Sequence, residues 1–135
     1  MEFGNINVLA VLVSAVASML VGFVWFSKPL FEGAWLAGIG KTREQVAAAP
    51  PTRFVIAFIA AVLEAYILAA LLNITGGPSL PTGVLMAVVL WASFVATTTA
   101  ASYAFAGRGL RVWMIESGNH LVTLLVMGAI LGLWT

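Results

Sequence analysis

The chain contains no cysteine among its 135 residues. This absence excludes a disulfide framework, a thiol nucleophile, and zinc or iron–sulfur sites built on cysteine ligands. Aspartate is also absent and histidine occurs once, so a metal site within one chain would have to rely on glutamate. We therefore expect neither a metal nor a cofactor.

Charge is scarce as well, because charged residues make up 8% of the chain whereas soluble domains contain about a quarter. The net charge of +1 is too small to indicate nucleic-acid binding. Hydrophobic residues reach 62%, a composition with which a soluble globule would aggregate. The composition predicts a protein whose surroundings are a lipid bilayer.

Four apolar runs are long enough to cross that bilayer. Since no backbone group can stay unpaired in hydrocarbon, each run should form an α-helix. The runs and their loops use up the chain, so we predict one all-α integral membrane domain over 1–135, a four-transmembrane-helix bundle. The predicted helices cover about 6–26, 54–74, 80–106 and 112–134.

The basic residues fall into two loops, one between the first two spans and one between the last two. They are Lys28, Lys41, Arg43 and Arg53 in the first loop, and Arg108 and Arg111 in the second. In a four-span chain both loops lie on one side of the membrane, and positive residues favour the cytoplasmic side. We predict a multi-pass protein of the cell inner (cytoplasmic) membrane with both termini outside.

The first basic loop has helical periodicity of its own. Apolar residues recur at Leu30, Phe31, Ala34 and Trp35, which predicts a short interfacial helix on the cytoplasmic surface. The alternative is a loop with incidental aromatics. Further along, the Thr42 to Gln45 spacing is that of a capping box.

Small residues recur at every fourth position in three of the spans. The stripes are Ala10, Ser14, Ser18, Gly22; Ala57, Ala61, Ala65, Ala69; and Ala92, Ala96, Ala100, Ala104. Such stripes let helix backbones approach closely inside a membrane. They predict tight packing, either within one chain or between copies.

Glu64 lies near the middle of the second span, where a carboxylate is costly unless it is protonated, paired or wetted. At about 1.5 Å per residue, Glu64 lies about 16 Å beyond Arg53, and His120 about 14 Å beyond Arg111. Thr98 and Ser18 reach about the same depth in the other two spans. The four helices should therefore place polar groups in one layer near the midplane.

The functional interpretation of this layer is a proton-linked or cation-binding site. Its titratable members would be Glu64 and His120, with Glu116 toward the cytoplasmic mouth; its neutral hydrogen-bonding members would be Ser18, Thr97, Thr98 and Asn119. The alternative is a set of interhelical bonds that fix register. In that case the hydroxyls bond their own helix carbonyls, and Glu116 pairs with Arg111 or Arg108.

The sequence contains none of the common catalytic motifs. The chain has no G-x-S-x-G, no H-E-x-x-H and no phosphate-binding loop, and no nucleophile has a recognisable setting. We therefore do not expect an enzyme.

Two segments carry a family resemblance: Gly22-x-x-Trp25-Phe26-Ser27 with Leu30-Phe31 and Trp35, and the ending Gly128-Ala129-Ile130-Leu131-Gly132-x-Trp134. With them the chain resembles the small four-helix bacterial membrane proteins grouped as domain of unknown function 1761. The resemblance covers nearly the whole chain. It implies the four-helix architecture and brings no activity and no site residues.

Two functional hypotheses follow. The first is a homo-oligomeric transporter or channel for a proton, small cation or small lipophilic solute, because a lone four-helix bundle barely encloses a pathway. The second is a non-transporting scaffold that modulates a partner membrane protein. Replacing Glu64 distinguishes them, since only transport should respond.

Overall fold

The computed structural model describes residues 5–134, and these residues form helices joined by turns and short loops. In chain order the helices are α1 (Val8–Trp25), α2 (Glu32–Ile39), α3 (Arg43–Ala47), α4 (Thr52–Ile74), α5 (Leu80–Leu90), a π-helical segment (Trp91–Ala96), α6 (Thr97–Ala106) and α7 (Leu110–Leu133). Four helical stretches are long and apolar enough to cross a membrane: α1, α4, the continuous stretch Leu80–Ala106, and α7. The four-span, all-helical architecture predicted from the apolar runs is confirmed, and the protein is a multi-pass membrane protein.

Local sequence signals set the helix ends. The Asn7 side chain accepts from the Ala10 amide at 3.1 Å and so caps α1. The capping box predicted at α3 is present, because the Thr42 and Gln45 side chains each accept from the other's backbone amide, at 3.2 and 2.8 Å. Gly107 ends α6 at a φ of 69°, a left-handed conformation that favours glycine.

The third span is not a regular α-helix throughout. Trp91–Ala96 is π-helical, and the hydroxyl of Thr97 just after it donates to the Ser93 carbonyl at 2.7 Å. Thr98 and Thr99 bond back in the same way, to the carbonyls of Phe94 and Val95. Threonine hydroxyls that bond back to the preceding turn often bend helices, and π segments are frequent at functional sites.

Helix α7 is the central element, packed against α5 on one side and α1 on the other. Its contact with α5 is unusually close. A Cβ added at Gly83 of α5 would collide with the Gly128 carbonyl of α7, and a Cβ at Gly128 would collide with the Gly83 carbonyl. The two backbones therefore touch at these glycines, as small residues permit in membrane helices.

A buried core closes one half of the bundle. It joins residues of α1, α4 and α7, with Leu68, Leu72, Met127 and Leu131 as its largest members. This core lies toward the end where α1 begins and α7 finishes, which we call the closed end. The opposite end carries the arginine- and lysine-containing loops, and we call it the basic end.

Parts of two of the predicted small-residue stripes pack in or against this core. Ala61 and Ala65 of α4 are buried, as are Ala10 and Ser14 of α1, the helix on which α4 packs most extensively. The stripe of the third span behaves differently, because Ala92, Ala100 and Ala104 are exposed. Close packing within the chain thus uses the stripes of α1 and α4.

Helix α2 occupies the position of the predicted short helix and packs on α7 at the basic end. A Cβ at Gly38 would collide with the Val112 side chain of α7, so this glycine permits the contact. The Trp35 indole donates to the Glu116 carboxylate of α7 at 2.9 Å. The location of α2 on the cytoplasmic surface stays a prediction.

Candidate functional site

A cavity of about 640 Å³ lies between α1, α4 and α7 and reaches the basic end, where α2 and α3 form its rim. Its volume falls within the range of roughly 300–1,000 Å³ that is usual for small-molecule sites. The walls are mainly apolar, with a few polar side chains. We call this the basal cavity.

Glu64 of α4 lines the basal cavity one helical turn from the buried Ala61 and next to the buried Ala65. Its carboxylate therefore lies where the cavity meets the closed core. Within residues 5–134 Glu64 has no hydrogen bond or ion pair. An unpaired carboxylate at this depth is expensive in a structural role and is available to a ligand or a proton.

Three further members of the predicted polar layer share this cavity with Glu64. They are Ser18 of α1, and Asn119 and His120 of α7. Among the described residues Glu64 and His120 form no salt bridge, and the Asn119 Oδ1 atom is buried without a hydrogen-bond partner. The structure thus gathers polar groups around one space without joining them to each other.

The remaining predicted members lie elsewhere. Thr97 and Thr98 are exposed on the third span, where their hydroxyls are bonded to their own helix as described above. Glu116 accepts from Trp35 and pairs with Arg108 at 3.4 Å. These three residues do not line the basal cavity, and Glu116 makes the arginine contact that the structural interpretation expected.

A second cavity of about 510 Å³ lies between α4 and the third span. Its lining is almost wholly apolar and includes Phe94 of the π segment. Ala60, Glu64 and His120 line both this lateral cavity and the basal cavity. The two polar side chains therefore stand where the two spaces adjoin.

Aromatic rings surround the basal cavity near the basic end. Phe23 lies 6.0 Å from Phe54 between ring centroids, and Phe26 lies 5.0 Å from Trp35. The Arg53 guanidinium lies 4.3 Å from the Phe54 ring centroid. The rim thus combines ring faces with charge.

The charges on the rim are largely held by the protein itself. Arg43 pairs with Glu32 at 3.3 Å. Arg53 donates to the carbonyls of Ala49 and Pro50. Glu64 is therefore the cavity carboxylate without a protein partner in the described part of the chain.

Metal ligation is not indicated within residues 5–134, where no group of three His, Cys, Asp or Glu side chains is close enough to hold an ion. Cation binding in this cavity would rest on one unpaired carboxylate with neutral oxygens, a set suited to monovalent or organic cations rather than to a tightly held divalent metal.

Comparison with known proteins identifies the family of this chain. A family model described as a protein of unknown function (DUF1761) matches residues 9–132. The chain belongs to this family. The resemblance inferred from its aromatic and glycine landmarks is confirmed, and membership assigns no activity. No curated protein and no solved structure matches the chain.

Tryptophans hold this DUF1761 chain's α7 in place, a role that the sequence analysis missed. The Trp25 indole donates to the Ile115 carbonyl and the Trp91 indole to the Ser117 carbonyl, both at 2.8 Å. Trp35 reaches Glu116 between them. These contacts fix α7 just before Asn119. The available signal was Trp91, an indole deep in an apolar span whose N–H needs a partner.

Proposed function

We propose that the protein is a membrane transporter or channel that moves a small cation, with proton exchange, through the cavities at Glu64 and His120. The observation that carries the proposal is the unpaired Glu64 carboxylate where the basal and lateral cavities adjoin. An ionisable side chain that faces a cavity within a membrane span is a usual mark of an ion or proton pathway.

The proposed transport needs only the exchange of a cation for a proton at one side chain, Glu64. When Glu64 is ionised it attracts a cation, and the mainly apolar lining of the cavity strengthens this attraction. When Glu64 takes up a proton the attraction ends and the cation leaves. His120 beside the same spaces can accept or donate a proton, and Ser18 and Asn119 can supply neutral oxygen contacts.

The packed core at the closed end determines which conformational change transport requires. Leu68, Leu72 and Met127 separate Glu64 from that end, so within residues 5–134 a solute in the basal cavity is cut off from the closed end. Movement across the membrane requires α4 to shift against α1 and α7 so that this core opens. The alanine contacts between α4 and α1 offer a smooth surface for such a shear.

We also propose that the basic end is cytoplasmic, which places α2 on the inner surface and both termini outside. The chain has no cysteine, so single cysteines report topology without background. A cysteine replacing Glu44 in α3 should react with a membrane-impermeant maleimide after the cells are permeabilised. A cysteine replacing Thr75, beyond α4, should react in intact cells. The reverse pattern would contradict the orientation.

Assembly into a homo-oligomer is part of the same proposal. The support is the exposed alanine stripe of the third span, because small residues let membrane helices of neighbouring copies approach. Native mass spectrometry in detergent should detect a multimer, and a spectrum with monomer alone would contradict this part.

The test of transport is a flux measurement. An outward-directed proton gradient should drive cation uptake into liposomes that contain the purified protein. This uptake should be faster than uptake into protein-free liposomes. The matched variants are Glu64→Gln in the cavity and Glu44→Gln on exposed α3. Flux that is absent, or that is equal in both variants, would favour the scaffold hypothesis.

A further inference from the structure

We infer that the solute is a lipophilic organic cation that enters from the bilayer through the lateral cavity. This inference rests on the proposed function and names its substrate class and route. It draws on three features of the described residues: the walls of the lateral cavity, the point where the two cavities adjoin, and the aromatic rim of the basal cavity.

The lateral cavity has the surface of a passage for apolar molecules. Leu63 and Phe94, on opposite sides of it, are each 64% exposed, and Ile67 lies beside Leu63 on α4. These side chains lie at the depth of the acyl chains. A hydrated inorganic ion would lose its water there without compensation, whereas a cation carrying its own apolar groups would not.

The side chains at the point where the cavities adjoin select solutes by their charge. Ala60 is the small residue there, and Glu64 and His120 are the polar ones. A solute leaving the lateral cavity meets the unpaired carboxylate of Glu64 before it reaches the basal cavity. An anion of the same shape would be repelled, and a neutral molecule would gain nothing from the charge.

The basal cavity suits an organic cation by shape as well. Its volume of about 640 Å³ accommodates a molecule far larger than a bare ion. Phe23, Phe26 and Trp35 line it, and aromatic rings attract organic cations through their faces. Arg53 at the rim disfavours a second cation there, so the strongest site is at Glu64, about 16 Å deeper along α4.

Binding tests the substrate class. The probes are tetraphenylphosphonium, its near-isosteric anion tetraphenylborate, and the hydrophilic cation tetramethylammonium. Isothermal titration is performed on the full chain in a non-ionic maltoside micelle, with empty micelles subtracted. Tetraphenylphosphonium should bind more tightly than either other probe. Glu64→Gln should weaken its binding by about tenfold or more, and Glu44→Gln should not.

The outcomes separate this inference from the proposed function. Equal binding of tetraphenylborate would overturn the charge argument. Glu64-dependent flux of a hydrophilic cation, without binding of tetraphenylphosphonium, would overturn the substrate class and leave transport standing. If neither binding nor flux depends on Glu64, both proposals fail.

The route is tested at Ala60. Replacing Ala60 with leucine adds bulk where the cavities adjoin, whereas Ala101→Leu adds the same bulk on an exposed part of the third span, outside both cavities and off the alanine stripe. In liposomes Ala60→Leu should lower tetraphenylphosphonium flux by about fivefold or more, a change of roughly 1 kcal/mol. Ala101→Leu should leave it unchanged. Thermal unfolding of both variants checks that each is folded, and equal flux from two folded variants would overturn the route.

Discussion

Replacing Gly128 with alanine should strongly destabilise the protein, because α7 meets α5 backbone to backbone at this position. The new Cβ would collide with the Gly83 carbonyl, and backbone cannot move aside as a flexible side chain can. The two helices would have to separate, and the contacts along the most extensive helix pair of the bundle would loosen. We expect a loss at or above the upper end of the roughly 1–3 kcal/mol typical of overpacking.

Gly22→Ala is the matched control for this prediction. Gly22 lies in α1, also within a membrane span, and a Cβ there would meet nothing within 4 Å. Alanine favours helix over glycine, so this variant should be as stable as the parent or slightly more so. Thermal unfolding followed by circular dichroism in detergent compares the two. Equal midpoints for Gly128→Ala and Gly22→Ala would show that α5 and α7 are not in backbone contact.

Replacing Glu64 with glutamine should reduce cation flux by at least about tenfold, because glutamine keeps the shape of the side chain and removes its charge. A contact to a charged group contributes roughly 1.5–3 kcal/mol, and no other unpaired carboxylate among the described residues lines the cavity to replace it. Glu64→Asp keeps the charge on a shorter side chain and should retain part of the flux. Aspartate and glutamine variants with the same flux would contradict the role of the charge.

The pH dependence of binding provides a second measurement on the same variants. The proposed competition of protons and cations for Glu64 predicts that cation affinity in the parent protein rises as pH rises and Glu64 ionises. The other charged or titratable side chains that line the basal cavity in the described chain are His120, Glu32, Arg43 and Arg53. Glu64→Gln should remove most of the dependence. His120→Asn reports the part that belongs to the imidazole.

The sequence predicts how deep a side chain lies along its helix more readily than the direction in which it points. The rise per residue of a helix places Glu64, His120 and Ser18 at one level without knowledge of packing, and the structure brings these three to one cavity. The same count placed Thr98 at that level, yet Thr98 lines neither cavity and its hydroxyl donates to the Phe94 carbonyl of its own helix. Depth depends on the number of residues, whereas direction depends on the rotation of each helix about its axis.

The rotation of a membrane-spanning helix about its axis is hard to predict from its sequence. A soluble helix shows its buried side as an apolar stripe, but here the exposed side is apolar too, as Leu63 and Ile67 show beside Glu64 on α4. The break in the third span is equally hard to read, because Trp91–Ala96 contains no proline or glycine to indicate a π-helical segment.

The amino-acid sequence alone predicted four helices long and apolar enough to cross a membrane, with a carboxylate and an imidazole near the middle of two of them. The reason is that unpaired backbone and bare charge are both too unfavourable in hydrocarbon to leave other arrangements. The tertiary structure decided which half of the bundle is packed and which is hollow, and that Glu64 and His120 face the hollow half. Those features depend on the close fit of particular small residues, such as Gly83 on Gly128 and Ala65 within the core, and shape complementarity of this kind exists only once the helices have met.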